Sequence, residues 1–192
     1  HAERVKAAWT ELVTDDDIVI IAGDISWGLK LDEAMADLDW IHELPGQKVL
    51  LRGNHDLWWC RIQHLRTLYD DMHFLQNDCY YVEALDLAIC GSRGWPTPDA
   101  TTYTEHDEKM YLREQGRLRN SLVEAKKKGA SRIIMAMHYP PAKVEETEFT
   151  RIMQEYGVTQ CVYGHLHGMV AWTNGIKGEH GGIDYKLVSL DY

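Results

Sequence analysis

Residues 48–59 read KVLLRGNHDLWW: an apolar run that ends in glycine, an amide, an imidazole and a carboxylate, with two tryptophans directly behind. A strand buried in a sheet produces such a run, and glycine lets the backbone turn sharply at its end. Three other apolar runs also end in polar residues: IVIIAGD at Asp24 and QCVYGHLH at His165 and His167, each with a glycine before them, and RIIMAMH at His138. Helical spacing separates them. Val5, Ala8, Trp9, Leu12 and Val13 mark one face, and Leu31, Met35, Leu38, Ile41 and Leu44 a second, closed by Pro45-Gly46. The longest helix is predicted to start near Thr104, where Thr-Glu-His-Asp fits a capping box, and to stop at Gly129. Lys126, Lys127 and Lys128 favour the negative end of its dipole. Strands at 18–22, 48–51, 132–137 and 160–163 alternate with these helices, which predicts α/β layering. Residues 80–84, 87–90, 168–172 and 185–190 read as further strands, several antiparallel.

A chain of 192 residues with 45% apolar composition has material for one sizeable core, so a single domain over 1–192 is expected. Its formal charge of -10 opposes strong nucleic-acid binding, which rests mostly on Lys and Arg at phosphates. The cysteines, Cys60, Cys79, Cys90 and Cys161, form no C-x-x-C pair and read as reduced core thiols of a cytoplasmic protein. No apolar stretch approaches the roughly 20 residues of a membrane span, and no signal peptide is visible.

Ligands of layered α/β proteins collect beyond the carboxyl ends of strands. Here four strand ends deliver a carboxylate, an amide oxygen and three imidazoles, a mixed oxygen and nitrogen set suited to Mn, Fe, Zn, Co or Ni. Singly, Asp24 reads as an N-cap or turn residue, Asn54 as half of an Asx turn, and each histidine as a hydrogen-bonded core residue. Their joint placement argues for metal. His1, His42, His64, His73, His106 and His180 fall instead in helical or loop patterns. Alternation along an extended His165-Leu166-His167 puts both imidazoles on one side.

In order, Gly23-Asp24, Gly53-Asn54-His55-Asp56, His138 and Gly164-His165-Leu166-His167 resemble the motifs of the calcineurin-like metallophosphoesterases. The stretches GDISWGLKLDEAMADLDWI, RGWPTP with TEHDEKMYLRE, and MHYPP are similar to an uncharacterised bacterial branch of that family. The resemblance implies a layered sandwich of two mixed β-sheets flanked by helices. It implies two divalent transition metals, Mn favoured, and a small phosphorylated substrate, a monoester or diester attacked by metal-bound hydroxide. Asp24 would bridge the metals, Asn54, His138 and His165 would complete one site, and His167 would belong to the other. His55 would protonate the leaving oxygen and Asp56 would orient it; a helix N-cap near Leu57 is the ordinary alternative for Asp56.

The family's first motif, D-x-H after an N-terminal strand, has no counterpart here, and His1 precedes helical periodicity with no strand to carry it. The expectation is that an upstream strand is absent, with a short loss after LVSLDY. One metal would then be weakly held and the activity of these 192 residues low. One of Trp58 and Trp59 is expected in the core and the other, assigned as Trp58, along the cleft. Arg93 would pair with phosphate, and Trp95 or Trp27 would stack on a base or sugar. Simple covering of the surface is the open alternative. Serine hydrolase, dinucleotide, P-loop and zinc-protease signatures (G-x-S-x-G, G-x-G-x-x-G, G-x-x-x-x-G-K, H-E-x-x-H) are absent. The rival reading is a noncatalytic module binding one metal or a partner, distinguished by metal stoichiometry.

Overall fold

Runs of four to six apolar residues joined through helices have to pair in parallel, because only a crossover returns the chain to the same end of the sheet. The computed structural model, which describes residues 2–192, bears this out. In chain order the elements are α1 (Ala2–Leu12), β1 (Ile18–Ile21), α2 (Leu31–His42), β2 (Gln47–Leu50), α3 (Ile62–Leu65), β3 (Met72–Phe74), β4 (Cys79–Val82) and β5 (Leu87–Ser92). They continue with α4 (Glu105–Lys127), β6 (Arg132–Met137), α5 (Glu148–Glu155), β7 (Gln160–Tyr163), α6 (Met169–Trp172), β8 (Gly178–His180) and β9 (Ile183–Leu187).

Two sheets result. One is parallel, in the order β1-β2-β3; the other is mixed, in the order β4-β5-β6-β7-β9-β8. Within the mixed sheet the inner pairs are parallel, while β4–β5 and β8–β9 at its two edges are antiparallel. Side-chain alternation sends neighbouring residues of β2 to opposite layers. Val49 meets Leu75 and Ile89 between the sheets, whereas Leu50 packs with Ala34, Leu38 and Ile41 of α2. On the far side, Leu118, Leu122 and Ala125 of α4 cover Ala88 and Cys90 of β5. The layering is therefore helix, sheet, sheet, helix. Fully burying each of those leucines contributes about 1.5 to 3 kcal/mol.

The long helix has the expected ends. Thr104 Oγ1 accepts from the Asp107 amide, Asp107 Oδ2 accepts from the Thr104 amide at 2.9 Å, and Gly129 takes φ +79° just past Lys128. Two expectations fail. Residues 168–172 form no strand, because Gly168 at φ +79° turns the chain into the short α6. No helix begins at Leu57, so Asp56 caps nothing; the next helix is α3. The apolar face of α1 also lacks a full partner: none of its side chains is buried, Leu12 is exposed, and Trp9 is fastened through its indole to Pro45 O at 2.9 Å. His1 lies outside the described residues. The thiols are free, but only Cys90 and Cys161 are buried, Cys79 being half-buried and Cys60 exposed. Among the described residues no helix is long and apolar enough to cross a membrane.

Candidate metal centre

The carboxyl ends of β1 and β2 meet through their glycines. Gly23 has φ +89°, and a Cβ there would lie 2.7 Å from Gly53 Cα and from His138 Nδ1. A Cβ on Gly53 would lie 2.1 Å from Asp24 Oδ1. Only hydrogen fits in either gap. Asp24 itself holds φ +56° and His165 φ +68°, a left-handed conformation that side-chain-bearing residues rarely adopt and that concentrates at functional sites.

Asp56 holds the two turns together. Completely buried, its carboxylate accepts from the backbone amides of Asp24 (2.9 Å), Ile25 (2.8 Å), Ser26 (3.1 Å) and Gly53 (2.7 Å) and from the Trp58 indole (3.0 Å). None of these donors is His55. The expected orientation of His55 by Asp56 is thus replaced by another job, fastening the Asp24 loop to the Gly53 loop. Trp58 is also reassigned: it is buried beside Trp59 and serves Asp56 and the core, so it does not line the cleft.

Four side chains converge above these turns. Asn54 Oδ1 lies 2.7 Å from His138 Nε2 and 3.0 Å from His165 Nδ1; His138 Nε2 lies 3.2 Å from His165 Nδ1 and 3.5 Å from Asp24 Oδ1. Asp24, His138 and His165 each offer a donor atom within 4.8 Å of the others. Burial lowers the His138 pKa, and burial followed by the His138 neighbour brings that of His165 to about 4. Both imidazoles are therefore neutral near pH 7. His138 Nδ1 faces the Ala22 carbonyl at 2.9 Å, so the ring proton belongs there and Nε2 carries a lone pair. That lone pair faces the oxygens of Asn54 and Asp24 with no proton between them. Converging lone pairs suit a cation, and a backbone carbonyl on the far nitrogen is the usual support of a metal-binding histidine. The residues present fit a transition metal.

His167 stands apart from this group. With His165 left-handed, the expected alternation is broken, and His167 is exposed with Nδ1 2.9 Å from Asp191 Oδ1, while Gly168 N donates to Asp191 Oδ2 at 2.8 Å. His55 is exposed beside the cluster; its amide donates to Asp24 Oδ1 at 2.9 Å and its ring is 4.3 Å from that of Trp27. The Arg93 guanidinium carbon sits 4.7 Å from the Trp95 ring, whose indole donates to Asp107 at 3.0 Å. Sequence reasoning missed Tyr139, packed 4.3 Å from the His165 ring, and Asp191; the MHYPP and final LVSLDY stretches contained both. A second group, His42, Asp70 and Asp71, is outward-facing, and Asp71 there joins His42 to buried Lys48.

The two-sheet α/β sandwich gathers oxygen and nitrogen donors beyond its strand ends, which makes this a candidate metal centre. The family model for calcineurin-like phosphoesterase matches residues 2–169, and the chain belongs to that family. The Gene 66 protein of Mycobacterium phage L5 is 45% identical over 56 residues, which are 29% of this chain and 27% of that protein. The chain thus matches about a quarter of that relative's length. No solved structure matches it.

Proposed function

We propose that the chain hydrolyses phosphate monoesters or diesters at a dinuclear centre of divalent transition metals, Mn favoured, within one phosphoesterase domain over residues 1–192. The observation that carries this is the convergence of lone pairs from Asp24, Asn54, His138 and His165 at four strand ends. When bound, the metals supply charge that lowers the pKa of the attacking water and stabilises phosphoryl oxygens. Asp24 would serve both metal positions, Asn54, His138 and His165 would complete the first, and His167 would belong to the second.

The other residues act on the ester. His55 is exposed next to Asp24, with its backbone committed and its ring free apart from Trp27, which suits a group that gives a proton to the leaving oxygen. Asp56 acts through the backbone, holding Asp24 and Gly53 in register. Arg93 is a candidate phosphate contact and Trp95 steadies it by lying under the guanidinium. A cytoplasmic setting is part of this reading, supported by four cysteines that stand as free thiols.

A one-metal, noncatalytic module is the second reading, favoured by the separation of His167 into a pair with Asp191. A screen of metals against chromogenic monoesters and diesters separates the two. Hydrolysis that requires added metal and disappears in Asp24→Ala is the expected result. Hydrolysis indifferent to chelator, or one bound metal with no turnover on any ester, overturns the enzyme reading.

A further inference from the structure

On the α4 side of the same strand ends the chain forms a cavity of about 250 Å³, lined among others by Arg52, Arg93, Arg117, Gln76, Asn77 and Glu114. That volume is several times the roughly 30 Å³ share of one water. Three arginines line this cavity, and Glu114 is the carboxylate among its lining residues. Glu114 is completely buried and already engaged, Oε1 accepting from Arg117 at 2.6 Å and Oε2 from the Ser92 hydroxyl at 3.0 Å. It therefore fixes Arg117 and offsets one charge; the buried Asp56 carboxylate also acts on Arg52, and the Arg93 guanidinium has no ion-pair partner among the described residues.

The remaining donors lack partners. Arg93 Nε is shielded from solvent without a hydrogen bond. Arg52 donates Nε to Asp56 O at 3.1 Å and makes no other hydrogen bond among the described residues. Gln76 uses its oxygen to accept from the Trp59 indole at 3.2 Å, which leaves its amide N–H₂ available. Gathering like charges in a half-enclosed space is unfavourable unless an anion enters. Arginine forks match phosphate in geometry as well as charge. The cavity also adjoins the metal ligands through the backbone: Arg52 precedes Gly53-Asn54, and Arg93 O accepts from Tyr139 N, next to His138, at 2.9 Å.

We propose that this cavity is a second phosphate subsite, holding a phosphate remote from the scissile one, so that the preferred substrates are esters carrying two phosphate groups. Its meaning for substrate choice rests on the phosphoesterase reading; anion binding itself does not.

The test is calorimetric titration of the full chain with inorganic phosphate in excess EDTA, which takes the metal positions out of play. Glu114→Gln, isosteric and neutral, is expected to tighten binding. Because Arg117→Gln alone strands the Glu114 carboxylate, the informative partner is Glu114→Gln/Arg117→Gln, expected to bind at least about tenfold more weakly than Glu114→Gln. No binding to the unsubstituted chain at roughly 10 mM phosphate, or equal affinity in the single and double variants, overturns the subsite. A kinetic arm compares singly and doubly phosphorylated esters, where Arg117→Lys is expected to raise KM for the second far more than it lowers kcat. Absence of all hydrolysis would remove the phosphoesterase reading while the phosphate titration still decides the subsite.

Discussion

Replacing Asp56 by asparagine keeps the shape of the side chain and changes only what it accepts. If the asparagine oxygen takes the position of Oδ1, the amides of Ile25 and Ser26 and the Trp58 indole stay satisfied, and the new N–H₂ faces the amides of Asp24 and Gly53. Flipping the group strands three donors instead of two. Each buried donor left unpaired costs about 1 to 3 kcal/mol, so Asp56→Asn is expected to lose about 3 to 4 kcal/mol. Against a typical total of about 5 to 15 kcal/mol this is a large fraction, and for a chain of this size it lowers Tm by about 10 °C. Urea unfolding of the metal-free protein measures the loss, and metal titration of the folded fraction measures its reach, since Asp24 rides on the same bonds. Were Asp56 instead a partner of His55, the substitution would move the pH–rate profile and leave stability nearly alone. A stability change within about 0.5 kcal/mol, the range of ordinary surface substitutions, would refute the fastening role.

Gly53→Ala forces a methyl to within 2.1 Å of Asp24 Oδ1 and is expected to cost about 1 to 3 kcal/mol and weaken metal binding, whereas Gly116→Ala, where a Cβ meets nothing, leaves metal binding intact; equal metal affinity in both contradicts the close approach. His55→Ala is expected to lower turnover about 10² to 10⁴ fold with metal content unchanged, less for esters with good leaving groups, while Asp24→Ala loses both; matching metal loss would assign His55 to the centre. His165 titrates near 4 when folded and near 6.5 when unfolded, so in that window the unfolded chain holds the extra proton and stability falls as pH drops. Discounted for partial exposure, the effect is on the order of 2 kcal/mol, expected to vanish in metal-free His165→Asn and judged by denaturation at pH 7 and 4.5. An unchanged pH dependence in that variant would show that His165 is not the group concerned.

Strands 132–137 and 160–163 and the capped helix from Thr104 were legible because each is bounded by residues with one strong preference, and three of the four strand ends could be read from glycine followed by a polar side chain, the fourth from His138 directly after an apolar run. What escaped was set by tertiary contact. Both Trp58 and Trp59 are buried because the chain after Asp56 runs through turns rather than a helix, a path fixed by the five donors on Asp56. The divergence of His165 and His167 follows from a left-handed φ that histidine does not announce. Asp191 lies 24 positions from His167, and no local pattern links them. The arginine cavity is assembled from residues just after β2 and β3, at the end of β5 and on α4 that are scattered through the sequence.

The fastening by Asp56 separates two signals that GNHD carries in one word. Asn54 and His55 speak to chemistry, but the aspartate is read by backbone amides and would be retained by any descendant that must fold along this path, whether or not it still turns over an ester. A chain that kept Gly53-Asn54-His55-Asp56 while losing His138 would still carry the GNHD word yet lack one of the converging ligand atoms. Conversely, an enzyme designed from this scaffold has freedom at the ligands and almost none at the residue that ties their loops. Persistence of that carboxylate in a relative is a statement about architecture, and activity has to be judged from the side chains it leaves free.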